Sequence, residues 1–244
     1  MTFAPDTEDR IARHWAERLG CSPAAFEDPG VTIAENPNDG TIRLVRRGAS
    51  LVVAVSADLR DAFAADAERL RAADLPAEGA VTDVLADTGQ HVGRVHGPYF
   101  LGYVDEESFS PVDSDARLLV GADRDAFEAL RERVPEDDWE RASPVFRPGQ
   151  TAGLFDGDDL VAVGTLTHLP FPDVGVVVDP EHRGHGHGRA VVSKITATAF
   201  DVDRDAIVRY RTLDSLVASV GLAESVGYEH WATSAVLVIG QGSP

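Results

Sequence analysis

One stretch constrains this chain more than any other. Residues Gly175 to Ala199 read GVVVDPEHRGHGHGRAVVSKITATA. A run of β-branched residues ends at Asp179-Pro180, passes into a glycine-rich turn and continues in a helical pattern. A helix start leaves about four backbone N–H groups without partners. Ser, Thr, Asp or Asn normally caps them, and none of the four lies between Arg183 and Arg189. Gly184, Gly186 and Gly188 carry no Cβ that would hold a ligand away from the main chain. Bare donors together with the positive end of a helix dipole make an anion site.

Charge points the same way. The 244 residues include 41 acids and 22 bases, a formal net charge of −19, and every base but Lys194 is Arg. Between Pro180 and Phe200 the balance reverses: Glu181 faces Arg183, Arg189 and Lys194. A basic island at a glycine-rich helix start, within so acidic a molecule, calls for an anionic ligand. The acidic excess with almost no Lys is what a surface kept soluble in concentrated salt carries, and a halophilic source is expected. It also argues against a nucleic-acid partner. The apolar runs, such as Leu51–Val55, are far short of the roughly 20 residues needed to span a bilayer. No leader pattern starts the sequence, and Cys21 stands alone, which removes disulfides and thiolate zinc clusters. These features together predict a cytoplasmic protein.

The organisation predicted from periodicity is two α/β units. In the first, Thr7–Gly20 is a helix with Ile11, Trp15 and Leu19 on one face. Short strands at Val31–Ala34, Ile42–Val45 and Leu51–Val55 precede a helix over Ala57–Ala73 and a strand over Gly97–Val104. The acidic stretch Asp105–Asp115 is read as a linker. Domains are therefore expected at 1–110 and 116–240. In the second, the order is strand 118–120, helix 124–133, short helix 136–142, a hairpin around Asp156-Gly157-Asp158-Asp159, strand 174–178, helix 188–200, strand 207–212, helix 215–226 and strand 234–239. This is an α/β class with a mixed sheet.

The glycine run is no P-loop, because Arg189-Ala190 follows Gly188 where Lys-Ser or Lys-Thr is required. It is no dinucleotide fingerprint either. It resembles the pyrophosphate signature of the GNAT superfamily of acyl-CoA N-acyltransferases: Arg or Gln, two residues, Gly, one residue, Gly or Ala. Arg183, Gly186 and Gly188 fill it, Val177-x-x-Pro180-Glu181-x-Arg183-Gly184 leads into it, and Gly227-Tyr228 resembles the family's late Gly-Phe. The likeness runs from about Arg117 to Ile239, and the N-terminal part is similar to an extra lobe of some members. What the resemblance implies is a GNAT-like fold that binds acetyl-CoA as co-substrate, with no metal. The pantetheine arm would pair with Val176, Val177 and Val178. The diphosphate would sit on amides from Arg183 through Gly184, His185, Gly186, His187 and Gly188 to Arg189, with Ser219 nearby. A small-molecule or protein amine would attack the thioester directly, a backbone N–H of the strand serving as oxyanion site.

Two family positions differ. The usual thiolate-protonating Tyr is Ala223, and the usual coenzyme-contacting Asn is Leu216, with Asp214 and Ser215 beside it. Tyr228, Tyr210 or a water is then the candidate acid, and Asp173 or Glu140 the candidate base. His182, His185 and His187 read as phosphate neighbours or solvated side chains rather than a metal cluster. Asp156, Asp158 and Asp159 read as solvated turn acids, His168 as a strand-end residue, and Trp139 and Trp231 as core or substrate-wall residues. A non-catalytic acyl-CoA sensor is the alternative function, and an interaction protein working through its acidic N-terminal domain is another. A homodimer is left open.

Overall fold

A computed structural model describes residues 4–36, 40–167 and 170–241. Residues 37–39 and His168, expected at a strand end, lie outside the described residues. The chain divides into two compact units. One comprises Ala4–Leu101, Thr212–Leu216 and the residues from His230 on; the other comprises Gly102–Arg211 and Val217–Glu229. The expected boundary at 110 and 116 is thus displaced, and the last strand groups with the N-terminal half. The predicted linker is tied down rather than loose. Buried Asp105 and Ser108 bond one another (Ser108 Oγ to Asp105 Oδ1, 2.7 Å), Ser110 N–H donates to Val226 C=O at 3.0 Å, and Val112 N–H donates to Ser193 Oγ at 2.8 Å.

The N-terminal unit opens with α1 (Pro5–Leu19), which begins on a proline with Asp6 and Glu8 in its first turn. It ends where Gly20 turns left-handed at φ 72°. Ile11, Trp15 and Leu19 are buried, as their spacing requires. Strands β1 (Gly30–Glu35), β2 (Thr41–Arg47) and β3 (Ser50–Val55) follow. β1 pairs parallel with β3, and β2 pairs antiparallel with β3. The single helix expected over 57–73 is instead a 3-10 turn, α2 (Arg60–Ala65) and α3 (Ala67–Ala72). Asp66, at φ −104° and ψ 18°, breaks the helix. Leu59, Phe63 and Leu70, at helical spacing on either side of the break, all enter one core. α4 (Glu78–Leu85), which has no strong sequence signal, adds Val81, Val84 and Leu85 to it. β4 runs over Gln90–Val104, seven residues earlier than expected from its apolar end.

The C-terminal unit carries β5 (Arg117–Leu118), α5 (Arg124–Arg133), α6 (Glu136–Ala142), β6 (Thr151–Asp156), β7 (Asp159–Thr167) and β8 (Asp173–Val178). Then come α7 (His187–Val202), β9 (Val208–Leu213) and α8 (Val217–Glu224). The strand order is β5-β6-β7-β8-β9, antiparallel except for the parallel step from β8 to β9. β10 (Glu229–Gln241) returns beside β2, antiparallel to it. α7 covers one face of the C-terminal strands with Val191, Val192, Ile195, Thr196 and Phe200, all buried. Each such aliphatic or aromatic side chain contributes about 1.5–3 kcal/mol. On the other face, Phe127, Leu130 and Val134 of the α5 region pack on Leu160, Val163 and Val177. Gly164 lets α7 approach closely, since a Cβ there would lie 2.9 Å from Val191 O. No helix among the described residues is long and apolar enough to cross a membrane.

Candidate functional site

The site grows from the edge of β8. Asp179 N–H donates to Val161 C=O at 2.9 Å, and register pairs Val163 with Val177 and Thr165 with Gly175. In an antiparallel pair, alternate residues turn their backbone groups toward the partner strand. Residues 175, 177 and 179 therefore bond β7, while Val174, Val176 and Val178 turn N–H and C=O toward the opposite edge. β9 meets that edge only at Asp173↔Arg209 and Val174↔Tyr210. Beyond Val174 the strands part, and the backbone groups of Val176 and the N–H of Val178 have no strand to bond. Val177 is a correction: expected with its neighbours along the pantetheine arm, it bonds β7 and buries its side chain against α5.

At the C-terminal end of β8 the chain is fixed from below. Asp179 is buried, accepts Arg133 Nε at 2.6 Å and the N–H of Glu181 at 3.0 Å, and so caps a 3-10 turn at Pro180–His182. Burial pushes its pKa up, but the hydrogen bond from Arg133, the Glu181 N–H and nearby positive charge hold it below the ordinary carboxylate value. Arg133 also donates to Leu160 C=O at 2.7 Å. From this anchor the loop rises through Gly184 and Gly186, left-handed at φ 82° and 84°, into α7.

Gly186 stands at the N-cap of α7 and no side chain caps the helix. The first intrahelical donor among these residues is Ala190 N–H, which bonds Gly186 C=O at 3.0 Å. The amides of His187, Gly188 and Arg189 precede it and lack i−4 helical acceptors. A Cβ at Gly184 or Gly186 would meet nothing within 4 Å. Their glycines serve backbone conformation. Gly188 differs: it is buried, and a Cβ would fall 2.6 Å from Leu222 Cδ1 and 3.3 Å from Val178 Cγ2. It lets α7 sit against β8 and α8.

One expected partner is placed otherwise. Arg183 donates to Asp138 of α6 at 2.8 Å, and that bond, ahead of opposing burial, lowers the Asp138 pKa. Arg183 Nε also reaches Val178 C=O at 3.4 Å. Arg189, exposed on the first turn of α7, is the cation nearest in sequence to the bare amides. The rings of His185 and His187 stack with centroids 5.8 Å apart, and those of His182 and His187 lie 6.3 Å apart. Among the described residues no group of His, Cys, Asp or Glu is arranged to hold a metal.

Tyr228, proposed as acid from the sequence, is fully buried and shares a 2.6 Å hydrogen bond with Thr196 of α7. Burial pushes its pKa far up. Tyr210 is buried too, its pKa pushed up to about 12 by burial, and its hydroxyl lies 3.0 Å from Ser219 Oγ of α8. The two rings meet edge to face at 5.5 Å. Both phenols thus belong to a buried network, which corrects the reading of Tyr228 as an acid. Ser219 takes part in the same network. Ala223 is fully buried in α8. Glu140 is exposed on α6. Asp173, at the start of β8, gives Oδ2 to Arg209 at 2.8 Å, while its buried Oδ1 has no hydrogen-bond partner. Sequence reasoning missed Arg209; only the parallel register of β9 brings it to Asp173. Trp139 lies in the C-terminal core, edge to face with Phe127 at 5.3 Å. Trp231 stacks on Trp15 in the N-terminal unit.

Residues 117–228 match the model of the acetyltransferase (GNAT) family. No curated protein matches the chain. Among solved structures, a GCN5-related N-acetyltransferase from Kribbella flavida is similar over 95% of both chains at 17% identity, with a TM-score of 0.51. A structure described as an acetyltransferase of the GNAT family from Novosphingobium aromaticivorans shares 22% identity over 64% of this chain and 69% of its own, TM-score 0.47. A GNAT-family acetyltransferase from Colwellia psychrerythraea shares 16% identity over 69% of this chain and 63% of its own, TM-score 0.47. With the parted strand edge and the uncapped helix start already in place, the match identifies residues 117–228 as a domain of the acetyltransferase (GNAT) family.

Proposed function

We propose that this chain transfers an acetyl group from acetyl-CoA to a primary amine in a ternary complex. The carrying observation is the pairing of the uncapped α7 start with the open edge of β8 beyond Val174. The amides of His187, Gly188 and Arg189 would hold the diphosphate, with Gly184 and Gly186 shaping the approach and Arg189 adding positive charge. Val176 and Val178 would hold the pantetheine arm through main-chain hydrogen bonds. The bound coenzyme supplies an activated acyl thioester. An N–H on this edge polarises the acyl oxygen, Val176 being the best placed. Asp173 Oδ1 takes a proton from the incoming ammonium. The amine nitrogen then bonds the acyl carbon, the C–S bond breaks, and the second proton shed by that nitrogen passes through water to the departing thiolate, since Tyr228 and Tyr210 hold theirs too tightly. Holding the two reactants in register supplies much of the acceleration.

The N-terminal unit is read as an accessory lobe. The acidic composition supports reading the chain as a cytoplasmic protein of a salt-adapted cell, a monomer or a homodimer. Titration calorimetry with acetyl-CoA in high salt tests the reading: binding is expected, and Gly186→Asp is expected to abolish it by bringing a carboxylate to the amides. No binding by the unaltered chain would sink it. A second reading, an acyl-CoA sensor without turnover, is favoured by the buried phenols and by Ala223 at the family's acid position. Acetyl-CoA binding without release of free CoA across a broad amine panel would select it.

A further inference from the structure

A cavity of about 210 Å³ opens on the α6 face of the C-terminal unit. Its polar lining is Ser143, Arg147, Gln150, Thr165 and Thr167, with two aliphatic side chains and no acid. In a chain of net charge −19, a concavity with one guanidinium, three hydroxyls and no carboxylate is set apart from its surroundings. It is smaller than the roughly 300–1,000 Å³ of pockets that enclose a drug-sized ligand, so it takes an end group rather than a whole molecule.

Its position ties it to the parted strands. Thr165 and Thr167 are register partners of Gly175 and Asp173, and paired residues point to the same sheet face. The hydroxyl of Thr167 donates to Asp173 C=O at 3.4 Å. An added Cβ at Gly175 would lie 3.1 Å from Thr165 Oγ1 and 2.3 Å from Ala142 O. The cavity wall is therefore one strand spacing, about 4.8 Å, from the point where β8 leaves β9. On that same face the Asp173 carboxylate offers a buried Oδ1 with no partner, its other oxygen fixed by Arg209.

An unpartnered carboxylate oxygen thus lies beside a cavity that holds an arginine and hydroxyls. We propose that this face selects an acceptor carrying a carboxylate close to its amine, as in an α-amino acid. The ammonium goes to Asp173 Oδ1 and the carboxylate to the Arg147 guanidinium, with the Thr165 hydroxyl beside it. This rests on the acetyl-transfer reading above and names the substrate class of that site. It runs against the expectation from net charge alone, which favours polycationic amines.

The test compares α-amino acids with their carboxamides, equal in size and differing in the one charge. Free CoA is followed by chromatography in high salt. Acids are expected to exceed their amides in kcat/KM by about tenfold or more. Arg147→Gln is expected to remove that preference, the acids losing at least about tenfold more than the amides, with acetyl-CoA affinity unchanged. Equal use of acids and amides, or an equal loss for both in Arg147→Gln, overturns the proposal. Calorimetry with N-acetyl amino acids and their amides reads the cavity without turnover. Binding of the acid that falls about tenfold in Arg147→Gln supports the proposal, and its absence refutes it, whatever the coenzyme result. Loss of acetyl-CoA binding by the unaltered chain would instead remove the acetyl-transfer reading.

Discussion

Gly184, Gly186, Gly188 and Gly227 look alike in the sequence and are required for different reasons. Gly184 and Gly186 sit left-handed in open space, so a side chain there costs backbone strain alone. Gly188 has ordinary helical surroundings but is crowded by Leu222 and Val178. Gly227 combines both demands: φ is 100°, and a Cβ would lie 2.3 Å from Ser108 O, a backbone atom that cannot swing aside. Left-handed backbone costs a non-glycine residue about 1–2 kcal/mol. Gly186→Ala is therefore expected to lower stability by about 1 kcal/mol. Gly227→Ala should lose more than about 2 kcal/mol because steric overlap adds to the strain. Urea midpoints of the two variants check the order, and equal losses would contradict this account of Gly227.

At the scale of elements, the loop that receives the anion is held by an ion pair between two of them. Arg133 ends α5 and Asp179 follows β8, and the pair fixes where the chain leaves the sheet for α7. Asp179 has a folded pKa held below its ordinary value of 3.8. A depressed carboxylate contributes stability above the unfolded pKa and loses it as pH falls through the folded one. Arg133→Met is expected to cost about 1–2 kcal/mol at pH 7, less than a fully buried pair because Arg133 is 35% exposed. It should also flatten the fall in stability between pH 7 and pH 3. Urea unfolding at both pH values reads this directly, and an undiminished fall in the variant would put the acid sensitivity elsewhere. The same scale explains a missed element boundary. Periodicity joined α2 and α3 into one helix, because Phe63 and Leu70 fall on the same face with or without the interruption at Asp66.

For the whole molecule the governing quantity is the net charge of −19. Like charges over the surface repel one another in the folded state, and the repulsion is screened within about 10 Å at 0.1 M salt and about 3 Å at 1 M. The thermal midpoint is therefore expected to rise by several degrees between 0.1 M and about 2 M KCl, at about 2–4 °C per kcal/mol for a chain of this size. Calorimetric scans across that range decide it, and a flat or falling midpoint would leave the acidic surface without the proposed role in salt.

What the amino-acid sequence determined by itself was local. The strand Val174–Val178, the three glycines and the absent cap are consecutive, so their chemistry is set by backbone propensity and helix-end donors within a few residues. The helices of α1, α5 and α7 are legible for the same reason, through Ile11, Trp15 and Leu19 or Phe127 and Leu130. What tertiary structure alone decided was every property that depends on partners distant in the chain. It set Val177 against β7, Arg183 on Asp138, Arg209 on Asp173, and Tyr228 in a buried bond with Thr196. It also grouped β10 with the N-terminal strands. A titrating group's behaviour depends on burial and neighbouring charge, and register sets which residues a strand brings together. Neither is a function of adjacent residues.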